Sequence, residues 1–371
     1  MMSSINRNNS LSDNLIEWYH RNKRDLPWRK TDDPYKIWIS EIMLQQTRVD
    51  TVIPYYHRFL DAFPTVYDLA EADQQQVLKL WEGLGYYSRG RNLHYAAKEI
   101  AQNFDGIIPS DYKKIISLKG IGPYSAAAIL SIAYQKPYAV VDGNVIRVIT
   151  RYCGIEDDIR SIRVKTLVQQ HVDSLIPDNH PGDFNQAIME LGATVCKPQN
   201  PDCGSCTFST ECIAFNTAKT DVIPYKSKAK KIPHHQIAVG LIVDSKNNLL
   251  IALRPEESML GGLWEFPGGK KEKHETLQET VFRELKEELG VETEVFLKFK
   301  ELKHAYSHFK ITLHAYWCRV VSGKPQPKLS QQIKWVSLDH IDHFPFPKAN
   351  KTLVDDLLDL KDKNLQQFLI K

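Results

Sequence analysis

The sequence contains no long hydrophobic run. None of its apolar stretches approaches the roughly 20 residues that a helix needs to cross a bilayer, and its first residues lack the apolar segment of a secretory signal. Neither sign of charge dominates, because 48 Lys and Arg residues face 45 Asp and Glu residues, which gives a net charge of +3. We therefore expect a protein of a reducing, cytoplasmic compartment that does not contact membranes. Any surface that binds nucleic acid must be local.

Cysteine is scarce, yet four of the six cysteines lie in one short loop. Their spacing is C-x6-C-x2-C-x5-C, in a stretch rich in Pro, Asn, Gly and Ser. Four thiolates that converge in one loop can bind a cubane iron–sulfur cluster or a tetrahedral zinc ion. A disulfide framework is the weaker interpretation, because nothing in the chain indicates export. The candidate metal ligands are Cys196, Cys203, Cys206 and Cys212.

The pattern of residues changes along the chain, whose 371 residues suffice for two or three domains, since one domain takes roughly 100–200 residues. Helical patterns dominate the first part, including a helix that starts at Asp33-Pro34, an N-cap and N1 pair. Strand-like alternation begins after the basic, proline-bounded segment PYKSKAKKIPHH. We predict an all-α domain over residues 1–223, a linker at 224–235 and an α+β domain over 236–371.

The segment LKGIGPY lies between two helical patterns. Gly120 and Gly122 permit a tight turn with positive φ, and Pro123 can begin the next helix. Backbone N–H groups in such a turn can bind a phosphate oxygen. A plain corner between two helices has the same pattern, but the cysteine loop downstream favours phosphate binding.

Two carboxylates have unusual surroundings. Glu41 lies among Ile, Trp and Leu side chains on a predicted helix. It is therefore either paired with an arginine such as Arg29 or Arg48, or protonated at a raised pKa, as a general acid would be. Asp142 follows an apolar run at the start of a helix, where an N-cap carboxylate stays ionised; a purely structural cap is the alternative. Cleavage of an N-glycosidic bond needs such a pair, acting on a base flipped out of the duplex.

Five segments together resemble the adenine DNA glycosylases, which remove adenine mispaired with 8-oxoguanine. They are WISEIMLQQTRV, GLGYYSRGRNL, LKGIGPYSAAAI, VVDGNVIRV and the cysteine loop, and they occur in the family's order. The resemblance covers essentially the whole chain. It implies a monomeric helix–hairpin–helix glycosylase of base excision repair, with a [4Fe–4S] cluster rather than zinc at residues 196–212. It also implies a double-stranded DNA partner that contains A·8-oxoguanine or A·G mismatches.

The resemblance assigns roles residue by residue. Glu41 resembles the acid that protonates adenine N7, and Asp142 resembles the carboxylate at the sugar. Tyr124 stands where bifunctional relatives carry the Schiff-base lysine; a phenol forms no imine, so the enzyme is expected to be monofunctional. Similar to the family's pocket residues are Trp28, Arg29, Leu44, Asn144 and Glu190. The implied DNA contacts are Gln46 and Thr47 at the orphaned 8-oxoguanine, the aromatic wedge Tyr86 beside it, and the turn with Gly120 and Gly122.

The C-terminal part contains GKKEKHETLQETVFRELKEELGV, the complete G-x5-E-x7-R-E-U-x-E-E-x-G-U signature of Nudix hydrolases. Three of its carboxylates share one helix face and are candidate Mg²⁺ ligands, unless they form only a solvated face: Glu284, Glu287 and Glu288. Adenine glycosylases usually keep this fold and lose these acids, so the chain departs from the family. The implied contacts to 8-oxoguanine are Ser307, with Tyr306 and His308 as supports; Tyr306 stands where Phe is expected.

Three other functions stay open on the sequence. One is an endonuclease III-like glycosylase and lyase for oxidised pyrimidines, which Tyr124 disfavours. The second is a Nudix nucleotide pyrophosphohydrolase that the N-terminal part tethers to DNA. The third is a DNA-binding module without activity, which the presence of both Glu41 and Asp142 disfavours.

Overall fold

The computed structural model describes residues 2–228, 232–306 and 308–369, with side chains from residue 10 onwards. The chain divides into two compact units. The first comprises the described residues of Met1–Ala70 and Tyr95–Ala229, and the second those of Glu71–His94 and Lys230–Lys371. Among the described residues, no helix combines the length and the apolar character that crossing a bilayer requires.

Helices follow one another before the first strand. They are α1 (Met2–Asn22), α2 (Pro34–Leu44), α3 (Val49–Ala62), α4 (Val66–Glu71), α5 (Gln74–Trp81), α6 (Ser88–Asn103), α7 (Tyr112–Ser117), α8 (Pro123–Tyr134), α9 (Gly143–Cys153), α10 (Ile162–Leu175), α11 (Pro181–Thr194) and α12 (Ile213–Asn216). Their starts follow local signals, as α2 shows: the Asp33 side chain accepts a hydrogen bond from Tyr35 N, and Pro34 occupies the first helical position. The predicted all-α part is confirmed.

The core of the first unit lies among α1, α9, α10 and α11. Leu15 and Tyr19 of α1, Val148 of α9, Val168 of α10 and Leu191 of α11 belong to one buried cluster. Burial of such side chains contributes roughly 1.5–3 kcal/mol each. This packing places the N-terminal end of α9, where Asp142 lies, beside α11.

The second unit contains two sheets. The strands are β1 (His234–Ile242), β2 (Leu249–Leu253), β3 (Trp264–Glu265), β4 (Gly268–Lys270), β5 (Glu292–Ala305), β6 (Lys310–Ser322) and β7 (Gln332–Val336). One sheet has the order β4-β1-β6-β5, with β1 and β6 parallel, and the other has the order β3-β2-β7. The helices of this region are α13 (Leu277–Leu289), α14 (Leu338–Ile341) and α15 (Lys348–Leu358). The predicted α+β part is confirmed.

Alternating residues of β1 belong to two different cores, as expected for a strand with both faces covered. Ala238 and Ile242 pack in a cluster with Leu285 of α13. Val239 belongs to the other cluster, together with Leu353 of α15. The four-stranded sheet therefore lies between α13 and α15.

Candidate active site and nucleic-acid contacts

The two candidate catalytic carboxylates line one cavity of about 210 Å³ in the first unit. Glu41 projects from α2, and Asp142 caps the N-terminus of α9. The structure brings the predicted pocket residues to the same cavity, which is lined among others by Trp28, Arg29, Leu44, Thr47, Tyr124, Asn144 and Glu190. A flipped-out base would thus meet both carboxylates at once.

Glu41 is buried, with 5% of its surface exposed. Burial raises the pKa of Glu41 to about 7, while the hydrogen bond from Tyr124 opposes the rise and the charge of Asp142 adds to it. Tyr124 Oη donates to Glu41 Oε2 at 3.0 Å. Near neutral pH a substantial fraction of Glu41 therefore carries the proton that a general acid must deliver.

Arg29 does not form the pair with Glu41 that was the alternative interpretation. Its Nη2 donates instead to Glu190 Oε2 at 2.8 Å. Arg24 binds the same carboxylate through Nε at 2.8 Å and Nη2 at 2.7 Å. Although burial raises the pKa of Glu190, the hydrogen bonds from Arg24 and Arg29 outweigh it and lower that pKa to about 2. With a pKa of about 2, Glu190 is an anion near neutral pH and offsets part of the positive charge of Arg24 and Arg29.

Asp142 is held by hydrogen bonds at both oxygens. Oδ1 accepts from Val145 N at 2.7 Å, and Oδ2 accepts from Asn144 Nδ2 at 2.9 Å. Burial raises the pKa of Asp142, while these bonds and the charge of Arg147 oppose the rise. Arg147 Nη2 in turn donates to Asn144 Oδ1 at 2.8 Å. These contacts fix the direction of the carboxylate and oppose the effect of burial on its charge.

Sequence patterns missed the residues that support the site from a distance. Arg24 binds Glu190 across 166 positions of the chain, and Arg147 joins the start of α9 to the Cys196 carbonyl at 2.7 Å. Gly192 lets α11 approach α9 closely, because a Cβ there would lie 2.6 Å from Asn144 Cβ. No local pattern marks these residues, since their partners are far away in sequence.

The candidate DNA contacts of the first unit lie at helix ends. Gln46 is exposed and has a φ of 56°, just beyond the end of α2. Thr47 lines the cavity. Gly120 has a φ of 84° in the turn between α7 and α8, and Gly122 is the N-cap of α8. A Cβ on Gly122 would meet nothing within 4 Å, so the backbone of this turn is open to a ligand such as phosphate.

The four cysteines of the loop form no disulfides and line one small cavity together with Arg151. Arg151 is buried, and its Nη1 lies 3.4 Å from Cys196 Sγ. It also donates to the carbonyls of Lys197, Thr220 and Ile223 at 2.7–2.8 Å. Within the described ranges, no three His, Cys, Asp or Glu side chains lie close enough together to bind one metal ion.

The candidate contacts in the second unit are only partly described. Tyr86 is 36% exposed and has a φ of 46°. Tyr306 stacks on Phe309, with ring centroids 4.7 Å apart, and His308 is exposed. Ser307, the predicted contact to 8-oxoguanine, lies outside the described residues.

The structure does not support the predicted Mg²⁺ site. Arg283 forms ion pairs with Glu284 at 3.0 Å and with Glu287 at 3.2 Å, so its guanidinium already offsets part of the negative charge of these carboxylates. Glu288 accepts a hydrogen bond from Gly268 N at 3.1 Å. Burial, followed by the charge of Glu265, raises the pKa of Glu288 to about 8.

Comparisons with known proteins match different families to the N-terminal and C-terminal parts of the chain. The family model for the HhH-GPD superfamily base excision DNA repair protein matches residues 39–174. The model for the NUDIX domain matches residues 238–356. A solved structure of a thermostable thymine-DNA glycosylase superposes with a TM-score of 0.53 and 29% identity, covering 57% of this chain and 98% of that one.

Two curated relatives match most of the chain. The adenine DNA glycosylase of Rattus norvegicus is 34% identical over 377 residues, which cover 87% of this chain and 73% of the relative. The adenine DNA glycosylase of Buchnera aphidicola subsp. Acyrthosiphon pisum is 32% identical over 344 residues, which cover 92% of this chain and 96% of the relative. With these matches, and with the two carboxylates in one cavity, the chain belongs to the adenine DNA glycosylases, the DNA N-glycosylases that remove adenine in base excision repair.

Proposed function

We propose that the protein, as a monomer, removes adenine opposite 8-oxoguanine or guanine in double-stranded DNA and leaves an abasic site without cutting the strand. The observation that carries this proposal is the cavity shared by Glu41, whose pKa is raised to about 7, and Asp142, whose oxygens are held by hydrogen bonds. One carboxyl group can donate a proton while the other remains an anion, as glycosidic cleavage requires.

The chemical steps follow from these positions. Glu41 protonates the flipped adenine, which makes the base a better leaving group. Tyr124 Oη then stabilises the carboxylate that Glu41 becomes, through the bond already present at 3.0 Å. Asp142 stabilises the positive charge that develops on the sugar. Water completes the hydrolysis.

The absence of a suitable amine supports a monofunctional reaction. Among the described residues that line the cavity, none is lysine, and Tyr124 takes the position of the lysine in bifunctional relatives. A tyrosine hydroxyl cannot form the imine that strand cleavage by β-elimination needs. Burial and the charge of Glu41 raise the pKa of Tyr124 further, so its hydroxyl remains neutral.

The cysteine loop is suited to a [4Fe–4S] cluster. Its candidate ligands are Cys196, Cys203, Cys206 and Cys212. Zinc would need all four thiolates on one centre, whereas each thiolate of a cubane cluster binds a different iron atom. The cluster is supported by the resemblance of the cysteine spacing to that of the family, and all four cysteines line one cavity. When bound, the cluster would order the loop that Arg151 holds, and the hydrolysis itself needs no electron transfer.

The test uses purified full-length protein and duplexes that carry one A·8-oxoguanine, A·G or A·T pair. We expect strand breaks only after alkali treatment of the two mismatches, and no covalent complex after borohydride. Strand cleavage without alkali would contradict the monofunctional mechanism.

A variant separates chemistry from binding. Glu41→Gln should lose adenine release by about 10²–10⁴-fold, the contribution of a positioned acid, while its affinity for the mismatch changes little. The matched control is Glu17→Gln, because Glu17 is an exposed helical glutamate that pairs only with Arg21 among the ion pairs described. Normal turnover by Glu41→Gln would refute the proposed role of Glu41.

A further inference from the structure

The loop that carries Tyr86 has an unusual backbone conformation. Residues 82–87, here called the wedge loop, connect α5 to α6 within the second unit. Gly83 and Gly85 have φ values of 101° and 72°, and Tyr86 has a φ of 46°. A residue with a side chain keeps such a left-handed conformation only where surrounding contacts enforce it. The contacts of the wedge loop therefore determine where the Tyr86 ring lies.

Both ends of the wedge loop are attached to the backbone of Phe346, a fully buried residue of the same unit. The Phe346 N–H donates to Glu82 Oε1 at 2.8 Å. The Phe346 carbonyl accepts from Tyr87 Oη at 3.2 Å, and the same hydroxyl accepts from Gly83 N at 3.3 Å. Because these bonds restrain both ends, the remaining freedom of the loop lies at its centre, at residues 84–86.

At the centre of the loop, the contacts come from one guanidinium group. Arg89, in the first turn of α6, donates through Nη2 to the Leu84 carbonyl at 3.2 Å and to the Gly85 carbonyl at 3.1 Å. Its Cζ lies 5.5 Å from the centroid of the Tyr86 ring and 5.5 Å from that of the Trp81 ring, within cation–π range. Arg89 therefore contacts both the backbone and the aromatic ring of the loop.

Burial strengthens the contacts of this guanidinium. Only 9% of Arg89 is exposed, and Trp81 is fully buried, with its Nε1 donating to the Gly85 carbonyl at 3.2 Å. Gly90 lets α6 approach Trp81 closely, because a Cβ there would lie 3.0 Å from Trp81 Cδ2. Burial lowers the pKa of Arg89 to about 10, so the group stays charged near neutral pH. A cation interacts more strongly with an aromatic face when water is excluded.

The two rings beside Arg89 differ in their accessibility. Trp81 is enclosed by protein, whereas 36% of Tyr86 remains exposed and available to a ligand. Insertion of an aromatic wedge between bases must offset the cost of unstacking them. A ring that rotates freely would also lose conformational entropy on insertion, whereas a ring that is already restrained loses less. Contact with a buried cation therefore makes insertion more favourable.

We propose that Arg89 is a positioning residue that preorganises the Tyr86 ring for insertion beside the orphaned base. It acts through the ring of Tyr86 and through the carbonyls of Leu84 and Gly85, and it needs no contact with DNA. The inference rests on the proposed action on mismatches and on the predicted insertion of Tyr86. Arg89 thereby strengthens binding of the mismatch.

The experiment measures the affinity of the full-length protein for a duplex with one A·8-oxoguanine pair. The adenine nucleotide carries a 2′-fluorine, which opposes positive charge on the sugar, so the base is not released. A fluorescent purine analogue beside the orphaned base reports insertion of Tyr86. Arg89→Met keeps a long side chain and removes the charge and the donors. We expect about 5- to 30-fold weaker binding, the effect of a desolvated cation–π contact, and a weaker insertion signal.

The matched control is Arg319→Met. Arg319 lies in the same unit with its Cζ 5.3 Å from the Phe296 ring centroid, and it donates to Glu294 at 2.9 Å, but its side chain is exposed. This variant should leave binding and insertion unchanged. Thermal unfolding shows whether each variant is folded. If Arg89→Met is not, Arg89→Lys replaces it and should show the same pattern with a smaller loss, because it keeps the charge and loses the planar fork.

A double-mutant cycle separates positioning from a general structural role. Tyr86→Ala should weaken binding, and Arg89→Met should then weaken it by less than about twofold further, because Arg89 acts through the ring. Losses that multiply in the cycle, or normal binding by Arg89→Met, would overturn the inference. Normal binding by Tyr86→Ala would refute the predicted insertion of Tyr86, and the positioning role with it. A wild-type protein that binds matched and mismatched duplexes equally would instead contradict the proposed function.

Discussion

The pH dependence of adenine release should depend on the hydroxyl of Tyr124. Tyr124 Oη donates to Glu41, and this bond favours the ionised carboxylate and opposes the rise of the Glu41 pKa. The acid must be protonated to act, so the wild-type rate should fall as the pH rises through about 7. In Tyr124→Phe the ionised form loses its donor, and the pKa of Glu41 must rise.

The size of the shift follows from the bond. A hydrogen bond to a charged group is worth about 1.5–3 kcal/mol, and one pKa unit corresponds to about 1.4 kcal/mol. The falling limb of the profile should therefore move up by about 1–2 units. At pH 7 the protonated fraction of Glu41 would rise from about half to about nine-tenths or more.

The assay is single-turnover adenine release at saturating enzyme between pH 5.5 and 9.5, as a working range in which DNA stays paired. Tyr152→Phe is the matched control, because Tyr152 Oη also donates to a glutamate, Glu211 Oε2, at 2.9 Å but at an exposed position. A limb that stays in place, or moves to lower pH, would refute the reasoning that this bond opposes the raised pKa of Glu41.

Two further predictions concern stability and the cluster. Glu190→Gln leaves the positive charges of Arg24 and Arg29 without their carboxylate and should lower the free energy of unfolding by about 3 kcal/mol. This value is the lower end for a buried ion pair, because the Arg24 side chain is 41% exposed. Asp25→Asn, at an exposed pair with Lys30, should change it by less than about 1 kcal/mol, and an equal loss in both would contradict the argument. The pKa of Glu190 is about 2 in the folded protein, below its ordinary value of 4.5. The stabilisation from this carboxylate is therefore fully present above pH 4.5 and should be lost as the pH falls toward 2. Chemical unfolding at each pH would measure this loss. Cys203→Ser should reduce bound iron and sulfide per protein, measured by chemical analysis and visible absorbance, whereas Cys153→Ser should retain both; full iron content in Cys203→Ser would exclude that ligand.

Much of the helical unit could be predicted because its signals are local. The N-cap Asp33 and Pro34 define the start of α2, as predicted. Helix α1 escaped prediction, because its polar sequence gains its buried face, including Leu15 and Tyr19, only by packing on α11. The length of strand β5, which runs to Ala305, depends instead on pairing with β6 across three register irregularities. Pairing between strands is a property of the fold and leaves little mark on one strand's sequence.

In the candidate site, too, local patterns could be predicted from the sequence, whereas contacts between distant residues could not. Resemblance to a family placed Glu41, Tyr124 and Asp142 near one another, and the structure adds which atoms touch. Arg29 binds Glu190 and forms no ion pair with Glu41. The sequence could not predict this choice, because both glutamates were available partners. The Mg²⁺ prediction, which the structure does not support, has a similar origin: spacing put three carboxylates on one helix face but gave no sign that Arg283 would form ion pairs with two of them.

The side chain of Arg147 connects the cysteine loop to the residues that hold Asp142. Its guanidinium is held on one side by main-chain oxygens of Cys196 and Gly192, and on the other it orients the amide that restrains Asp142. A change in the conformation of the cysteine loop would therefore remove one support of this guanidinium and loosen the restraint on the Asp142 carboxylate.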